Sequence, residues 1–235
     1  MTRSIQVECC ASGTGESMRI IAISDTHGKH SAITALPAGD VLVHAGDFMR
    51  DWEDLLLFNH WLGLVPFKHR IVCAGNHERP FQIHADQARS MLTNAIYLEN
   101  SGVTIDGLRF WGSPYTPEFM DWAFMYPPGA GEAIWAQIPA GTDVLITHGP
   151  PYGILDQTAP GEKHLGCVDL LNAVDQKRPR VHIFGHIHGG AGTAEIGRTR
   201  FVNAAYLNEH YRPAEPAGKV QIIDIEVSAI NRRAK

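Results

Sequence analysis

Five short apolar runs, each followed closely by a turn signal, constrain the fold of this chain more than any other feature of its sequence. The runs lie at 18–24, 41–45, 70–74, 143–147 and 181–184. Short, mostly apolar segments of this kind are typical of strands that are buried on both faces of a sheet. Since helical patterns separate several of them, they predict an α/β fold with a largely parallel sheet.

The segments between and after these runs predict the remaining layers. Residues 52–62, with Asp51 as the expected N-cap, and residues 167–174 show helical apolar spacing, and 81–91 is a weaker helical candidate. Further strands are expected at 95–111 with a turn at Asp106-Gly107, at 193–196, at 200–203 and at 219–227. Because no helical pattern separates the last of these strands, we expect two packed sheets with helices outside.

Charge and composition exclude several classes of function. The 235 residues include 20 lysines and arginines and 25 aspartates and glutamates, a formal charge of −5 without a dense basic tract. A stable complex with nucleic acid is therefore not expected. No apolar stretch reaches the ~18–20 residues that span a bilayer, so no membrane association is expected either. We predict an N-terminal extension, residues 1–17, and a single domain, residues 18–235.

The cysteines and the first residues predict the compartment. Four cysteines, of which Cys9 and Cys10 are adjacent, do not form a disulfide framework in a chain of this length. Residues 1–17 contain no apolar segment as long as a secretory signal needs. We therefore predict reduced thiols and a cytoplasmic location.

Polar side chains that can bind metal ions follow the five apolar runs. Ligands of open α/β sheets bind at the carboxyl ends of the strands, where loops and backbone N–H groups converge. The residues at these ends are Asp25, His27, Asp47, Asn76, His77, His148, His186 and His188. One His-x-His pair proves little, since chance gives roughly 0.7 such pairs in this composition. The patterns Asp-x-His-Gly, Gly-Asn-His and Gly-His-x-His together are improbable at about the 10⁻⁴ level.

The spacing of these residues suggests how they share a site. Asp25 and His27 are two residues apart, so both side chains point the same way if the backbone is extended, and the Gly-His-x-His pattern has the same spacing. Asn76 and His77 are adjacent and must diverge. We expect one of these two to face a metal ion and the other to face the substrate.

The ordered series of motifs resembles the calcineurin-like metallophosphoesterase superfamily over nearly the whole chain from Met18 onward. The resemblance is closer to the branch of metallophosphoesterase-domain-containing proteins known from vertebrate brain. That branch has strings similar to Ser24-Asp25-Thr26-His27, His44-Ala45-Gly46-Asp47-Phe48 and Thr147-His148-Gly149-Pro150-Pro151. The resemblance implies a four-layer α-β-β-α sandwich, in which two mixed sheets are flanked by helices and a binuclear metal site lies at the carboxyl ends of the strands.

The resemblance also implies a role for each residue of the series. The side chains that would hold a first metal ion are Asp25, His27 and His188. Those that would hold a second ion are Asn76, His148 and His186. Asp47 would bridge the two ions and is one of two expected catalytic residues. The other is His77, which would protonate the leaving oxygen or stabilise charge on the phosphoryl oxygens without binding metal.

The ligand types themselves favour a pair of divalent cations. Carboxylate, imidazole and amide ligands without thiolates suit Mn²⁺, Fe or Zn²⁺, and Mn²⁺ is our first expectation. Two ions ~3.5–4 Å apart share an aspartate oxygen and a water, whose pKa falls far enough to give hydroxide near neutral pH. The ions also neutralise phosphoryl oxygens, which explains how an acidic protein would bind an anionic substrate.

These features together predict a phosphodiesterase that hydrolyses small phosphodiesters, cyclic nucleotides among them, by in-line attack of the metal-bound hydroxide. Protein phosphatases of the superfamily continue as Gly-Asp-x-x-Asp-Arg-Gly, whereas this chain has Gly46-Asp47-Phe48-Met49-Arg50-Asp51, which disfavours phosphoprotein substrates. The alternatives are a phosphomonoesterase or nuclease of the same fold, and a non-catalytic protein that binds nucleotide or a partner. The expected partner is a small phosphodiester, and association into homo-oligomers stays open.

The aromatic segment 114–128 has two interpretations. It contains Tyr115, Phe119, Trp122, Phe124 and Tyr126, which is too apolar for an idle surface loop. The segment either caps a small satellite core or forms a substrate-facing wall on which a flat group stacks.

Overall fold

Two sheets pack face to face between two layers of helices, so the predicted four-layer α-β-β-α sandwich is confirmed. The computed structural model describes residues 16–33, 35–213 and 220–227. Of the predicted N-terminal extension, only Glu16 and Ser17 fall within the described residues. The division into residues 1–17 and 18–235 therefore stays a prediction.

Thirteen strands lie within the described residues. They are β1 (Ser17–Ile23), β2 (Val41–His44), β3 (His69–Cys73), β4 (Ile96–Leu98), β5 (Ser101–Ile105), β6 (Leu108–Ser113), β7 (Thr116–Pro117), β8 (Met125–Tyr126), β9 (Val144–Thr147), β10 (Val181–Phe184), β11 (Gly192–Ile196), β12 (Thr199–Asn203) and β13 (Gln221–Glu226). The first sheet has the order β13-β1-β2-β3-β4, and β13 is antiparallel to β1. The second has the order β11-β12-β10-β9-β6-β5, with antiparallel strands at both edges. Both sheets are therefore mixed, with parallel strands at their centres.

Five helices lie outside the sheets in the described part of the chain. They are α1 (Trp52–Leu64), α2 (Arg79–Ile83), α3 (Ala85–Met91), α4 (Gly131–Trp135) and α5 (Val168–Lys177). Asp51 caps α1 as predicted, since its carboxylate accepts a hydrogen bond of 3.0 Å from the Asp54 amide. The weaker candidate at 81–91 is instead two helices, which are interrupted at His84. None of the helices described is long and apolar enough to cross a bilayer.

The central strands bury both of their faces. Ile20 of β1 packs with Ile146 of β9 in the core between the sheets, whereas the next residue, Ile21, packs against Phe58 of α1. On the far side of the second sheet, Phe184 of β10 packs with α5. Because neither face of such a strand meets water, polar residues do not alternate along it, which is why the five runs are mostly apolar.

Two neutral histidines are buried within the sheets. His44 of β2 accepts a hydrogen bond from the Gly46 amide at Nδ1, so its Nε2–H donates to the Thr26 hydroxyl. His182 of β10 donates its Nε2–H to the Thr147 hydroxyl, which itself donates to a carbonyl oxygen. Burial lowers the pKa of each ring to about 3.

These histidines are expected to destabilise the protein in acid. Each ring takes up a proton near pH 6.5 when unfolded but only near pH 3 when folded, so its stabilising contribution is complete above pH 6.5 and declines as the pH falls towards 3. Between pH 6 and 4, we expect the unfolding free energy of His182→Asn to fall with pH less steeply than that of the unchanged protein, by about 1.4 kcal/mol per pH unit. Urea unfolding at several pH values measures this slope. The exposed His60→Asn is the control, and equal slopes in both variants would contradict the expectation.

Candidate metal centre

All eight residues singled out in the sequence lie where the carboxyl ends of β1, β2, β3, β9 and β10 meet, between the two sheets. Backbone hydrogen bonds tie their loops together. The Asp25 amide donates to the Gly46 carbonyl at 2.9 Å, and the His27 amide donates to the Asp47 carbonyl at 2.9 Å. The His186 amide of the second sheet donates to the Asp25 carboxylate, with distances of 2.9 and 3.1 Å to its two oxygens. The two sheets thus share one site.

Backbone strain marks the same loops. Asp25, His27, Asp47 and His186 all adopt positive φ angles, of 54°, 42°, 56° and 68°. Left-handed backbone is costly for residues other than glycine and concentrates at functional sites. The expectation that Asp25 and His27 point the same way from an extended backbone was therefore wrong in its reason, because tight turns, not strand pleating, bring their side chains together.

A first group of ligand atoms comes from Asp25, His27 and His188, which lie within 4.8 Å of one another. The His188 Nε2 atom is 3.4 Å from the Asp25 Oδ1 atom and 3.4 Å from the His27 Nε2 atom. His188 donates its Nδ1–H to the Asn208 carbonyl at 2.9 Å. This hydrogen bond fixes the ring so that Nε2 faces the group, as in metal-bound histidines.

A second group comes from Asp47, His148 and His186, also within 4.8 Å of one another. His148 donates its Nδ1–H to the Ala45 carbonyl at 3.0 Å, which turns Nε2 towards the Asn76 Oδ1 atom, 2.8 Å away. The structure therefore brings Asn76 to the same group, on the side of the first sheet.

Asp47 lies between the two groups. Its Oδ2 atom is 3.8 Å from His27 Nε2, and its Oδ1 atom is 3.4 Å from His148 Nε2. His77 Nε2 is also 3.8 Å from Oδ2, and the His77 side chain is 31% exposed, unlike the nearly buried side chains of Asp47, His27 and His148. Asp47 thus faces one group with each oxygen, and His77 forms a third group with His27 and Asp47, within 4.8 Å of one another, where solvent can reach it.

The electrostatics of the centre favour added positive charge. Burial opposes ionisation of Asp25 and Asp47, but His188 and His148 respectively outweigh burial and hold each carboxyl pKa far below its usual range. Burial likewise opposes charge on the two rings, but Asp47 raises the pKa of His148 to about 10 and Asp25 raises that of His188 to about 9. Two buried carboxylates therefore require cations beside them, and bound metal ions would replace these protons.

Two glycines allow the loops to approach this closely. A Cβ atom on Gly185 would collide with the Asp25 Oδ2 atom and the Ser24 hydroxyl. A Cβ atom on Gly75 would collide with the Asp47 Oδ1 atom and would lie 2.6 Å from the His148 ring. Any larger residue at either position would displace a ligand side chain.

Glu78, for which the sequence suggests no role, holds two of these loops together. The Glu78 side chain is fully buried, and its two oxygens accept four backbone hydrogen bonds, from the amides of Gly75, Asp47, Phe48 and Met49, at 2.6–3.1 Å. The Glu78 side chain therefore sets the position of Asp47 relative to the loop that carries Asn76. Its place directly after Gly-Asn-His was the only signal in the sequence.

We expect Glu78→Gln to destabilise the protein by about 3 kcal/mol and to weaken metal binding by about 10–100-fold. The amide offers one accepting oxygen, and its NH₂ group would face backbone N–H donors that lose their acceptor. Guanidinium unfolding and metal titration measure the two effects. Glu195→Gln, the same change on the exposed face of β11, is the control, and an unchanged unfolding midpoint in Glu78→Gln would contradict this role.

Within the aromatic segment 114–128, some residues fit a satellite core and others fit a wall that faces the metal centre. Phe124 and Tyr126 are buried in the outer cores, whereas Phe119 is 58% exposed and packs edge-on against Trp122, with ring centroids 5.5 Å apart. The Trp122 ring centroid is 5.6 Å from that of His77. Tyr211, which the sequence did not single out, also borders the centre, and its ring centroid is 4.9 Å from that of His27.

These residues fit a pair of divalent cations. The donor set contains two carboxylates, four imidazoles and one amide oxygen, without a thiolate, and at least two rings are oriented by carbonyl acceptors. The first group with Asp47 would hold one ion, and the second group with Asn76 would hold the other.

Comparisons with known proteins are consistent with this geometry. A family model described as calcineurin-like phosphoesterase matches residues 18–190. Metallophosphoesterase domain-containing protein 1 of Homo sapiens is 41% identical over 227 residues, covering 84% of this chain and 69% of its own length. A UPF0046 protein of Caenorhabditis elegans is 40% identical over 211 residues, covering 82% of this chain and 71% of its own length.

Solved structures share the fold at low identity. Phosphopantetheinyl hydrolase from Mycobacterium tuberculosis aligns with a TM-score of 0.61 at 17% identity, over 89% of this chain and 97% of its own. The protein TT1561 of Thermus thermophilus aligns with a TM-score of 0.57 at 14% identity, over 91% of this chain and 100% of its own.

Proposed function

Because the chain belongs to the calcineurin-like phosphoesterase family, a family of metal-dependent hydrolases, we propose that it hydrolyses small phosphodiesters and that cyclic nucleotides are the first substrates to test. The predicted superfamily and its metallophosphoesterase-domain-containing branch are both confirmed by these relatives. The family implies two divalent metal ions, and we propose Mn²⁺ for both. Unpaired Cys73 and Cys167 support the proposed cytoplasmic location.

The observation that carries the proposal is the position of Asp47 between two groups of ligand atoms, with His77 beside it. Two divalent cations at these groups would lower the pKa of a shared water and neutralise phosphoryl oxygens. The protein side chains would hold the ions, and His77 Nε2 would give a proton to the leaving oxygen.

The pairing of Arg50 supports a diester over a phosphoprotein or a monoester. Arg50, the arginine nearest to Asp47 in the sequence, makes a two-point ion pair with Asp54, at 2.7 and 3.1 Å. Its guanidinium is therefore committed to helix α1. A phosphodiester carries one negative charge rather than the two of a monoester dianion and needs less positive charge from the protein.

The test compares bis-p-nitrophenyl phosphate, p-nitrophenyl phosphate, single-stranded DNA and a panel of cyclic nucleotides, with Mn²⁺, Fe²⁺, Zn²⁺ or Ni²⁺ added to chelator-treated protein. We expect the diester to be hydrolysed faster than the monoester, and fastest with Mn²⁺. Faster hydrolysis of the monoester or of DNA would favour a phosphomonoesterase or a nuclease. No turnover above blank with any of the four metals would overturn the enzymatic proposal and favour a binding protein.

A further inference from the structure

A pocket of about 180 Å³ opens beside the second group of ligand atoms. Trp135 and Leu170, both fully buried, form its floor, and Tyr115, Phe119 and Leu165 form its walls. His186 lines the pocket and also belongs to the second group. A molecule held at the metal centre can therefore extend directly into it.

A row of aromatic side chains connects this pocket to the metal centre. Phe119 packs against Trp122, whose ring centroid is 5.6 Å from that of His77 and 6.5 Å from that of His186. The loop that carries these rings is fixed to the centre, because the Ala123 amide donates to the Asn76 carbonyl at 3.0 Å. Pocket and centre thus form one continuous surface with a polar end and an aromatic end.

The lining predicts the chemistry of the occupant. The side chains described as lining the pocket include Glu118 but no lysine or arginine, so a phosphate or another anion is disfavoured there. An apolar cavity of about 150 Å³ accommodates benzene in another protein. A pocket of 180 Å³ with aromatic walls therefore suits one flat, uncharged ring.

We propose that this pocket binds a flat ring carried by an ester group of the substrate phosphate, and that it selects phosphodiesters bearing an aryl group or a pyrimidine-sized base over those with small alkyl groups. The inference rests on the proposed function, since it places the phosphoryl group at the metal centre. Phe119 and Leu165 are its specificity-determining residues.

Binding of two phosphonates tests this selection without turnover. Phenylphosphonate and methylphosphonate place the same head group at the metal-loaded centre, and only the phenyl ring can fill the pocket. We expect calorimetric titration of the Mn²⁺-loaded protein to show about 10–100-fold tighter binding of phenylphosphonate, as burial of one ring predicts. Equal affinities, or no binding of either, would overturn the pocket assignment even if diesters are hydrolysed.

Two exposed wall residues provide the variants. In the double variant Phe119→Ala/Leu165→Ala, we expect the ratio of phenylphosphonate to methylphosphonate affinity to fall about tenfold. The affinity for methylphosphonate itself should change less than about twofold. Both side chains are about half exposed, so neither change removes core packing. Leu64→Ala, at a 70% exposed position on α1, is the control and leaves both affinities unchanged. An equal loss of affinity for both phosphonates, or no loss for either, would contradict the proposal. If the protein prefers phenylphosphonate but hydrolyses no diester, only the proposed reaction is contradicted.

Discussion

Asp47→Asn is expected to lower kcat by about 10³-fold or more and to reduce the bound metal from two ions per chain to one or none. The reason is geometric, because the two Asp47 oxygens face different groups, with Oδ2 near His27 and Oδ1 near His148. An asparagine keeps one oxygen, and its NH₂ group cannot bind a cation. The change therefore removes the shared ligand while preserving the shape of the side chain.

Elemental analysis and hydrolysis of bis-p-nitrophenyl phosphate measure the two effects of this variant. Asp51→Asn is a matched control four residues along the chain, since it makes the same chemical change at an exposed helix N-cap, where asparagine also functions. We expect that control to keep its metal content and rate. Two ions per chain and full activity in Asp47→Asn would show that Asp47 does not bridge.

The fold could be predicted from the sequence because its central strands are buried on both faces. Each of the five apolar runs became a strand whose ends differ from the prediction by at most one residue. Prediction was poorer where local signals compete. The candidate at 81–91 contains no glycine or proline that marks its break at His84, and the two-residue strands β7 and β8 depend on pairing with each other.

The candidate site was predictable in its composition but not in its construction. Polar residues at strand ends reveal which side chains gather, since parallel strands end at a common edge. The left-handed turns at Asp25 and His27 could not be read from the residue types, because aspartate and histidine tolerate positive φ better than most residues but usually adopt other conformations. Glu78 and Tyr211 act through neighbours that are distant in sequence, so only the folded chain places them beside the centre.

His77→Ala is expected to lower kcat for alkyl phosphodiesters by about 10²–10⁴-fold while both metal ions stay bound. His77 Nε2 lies 3.8 Å from the Asp47 Oδ2 atom, and its side chain is 31% exposed. The adjacent Asn76 instead turns inward to His148. Removing the His77 ring therefore takes away a proton donor without opening either group of ligand atoms.

The leaving group distinguishes the two roles that His77 could have. If Nε2 protonates the leaving oxygen, the loss in His77→Ala is small for esters of p-nitrophenol, whose anion leaves unaided, and large for alkyl esters that need a proton. If the ring stabilises charge on the phosphoryl oxygens, the loss is the same for both esters. We expect the first pattern, with partial rescue by added imidazole, because the partly exposed ring borders solvent. His60→Ala, on the exposed face of α1, is the control. Loss of metal in His77→Ala would instead show that His77 is a metal ligand.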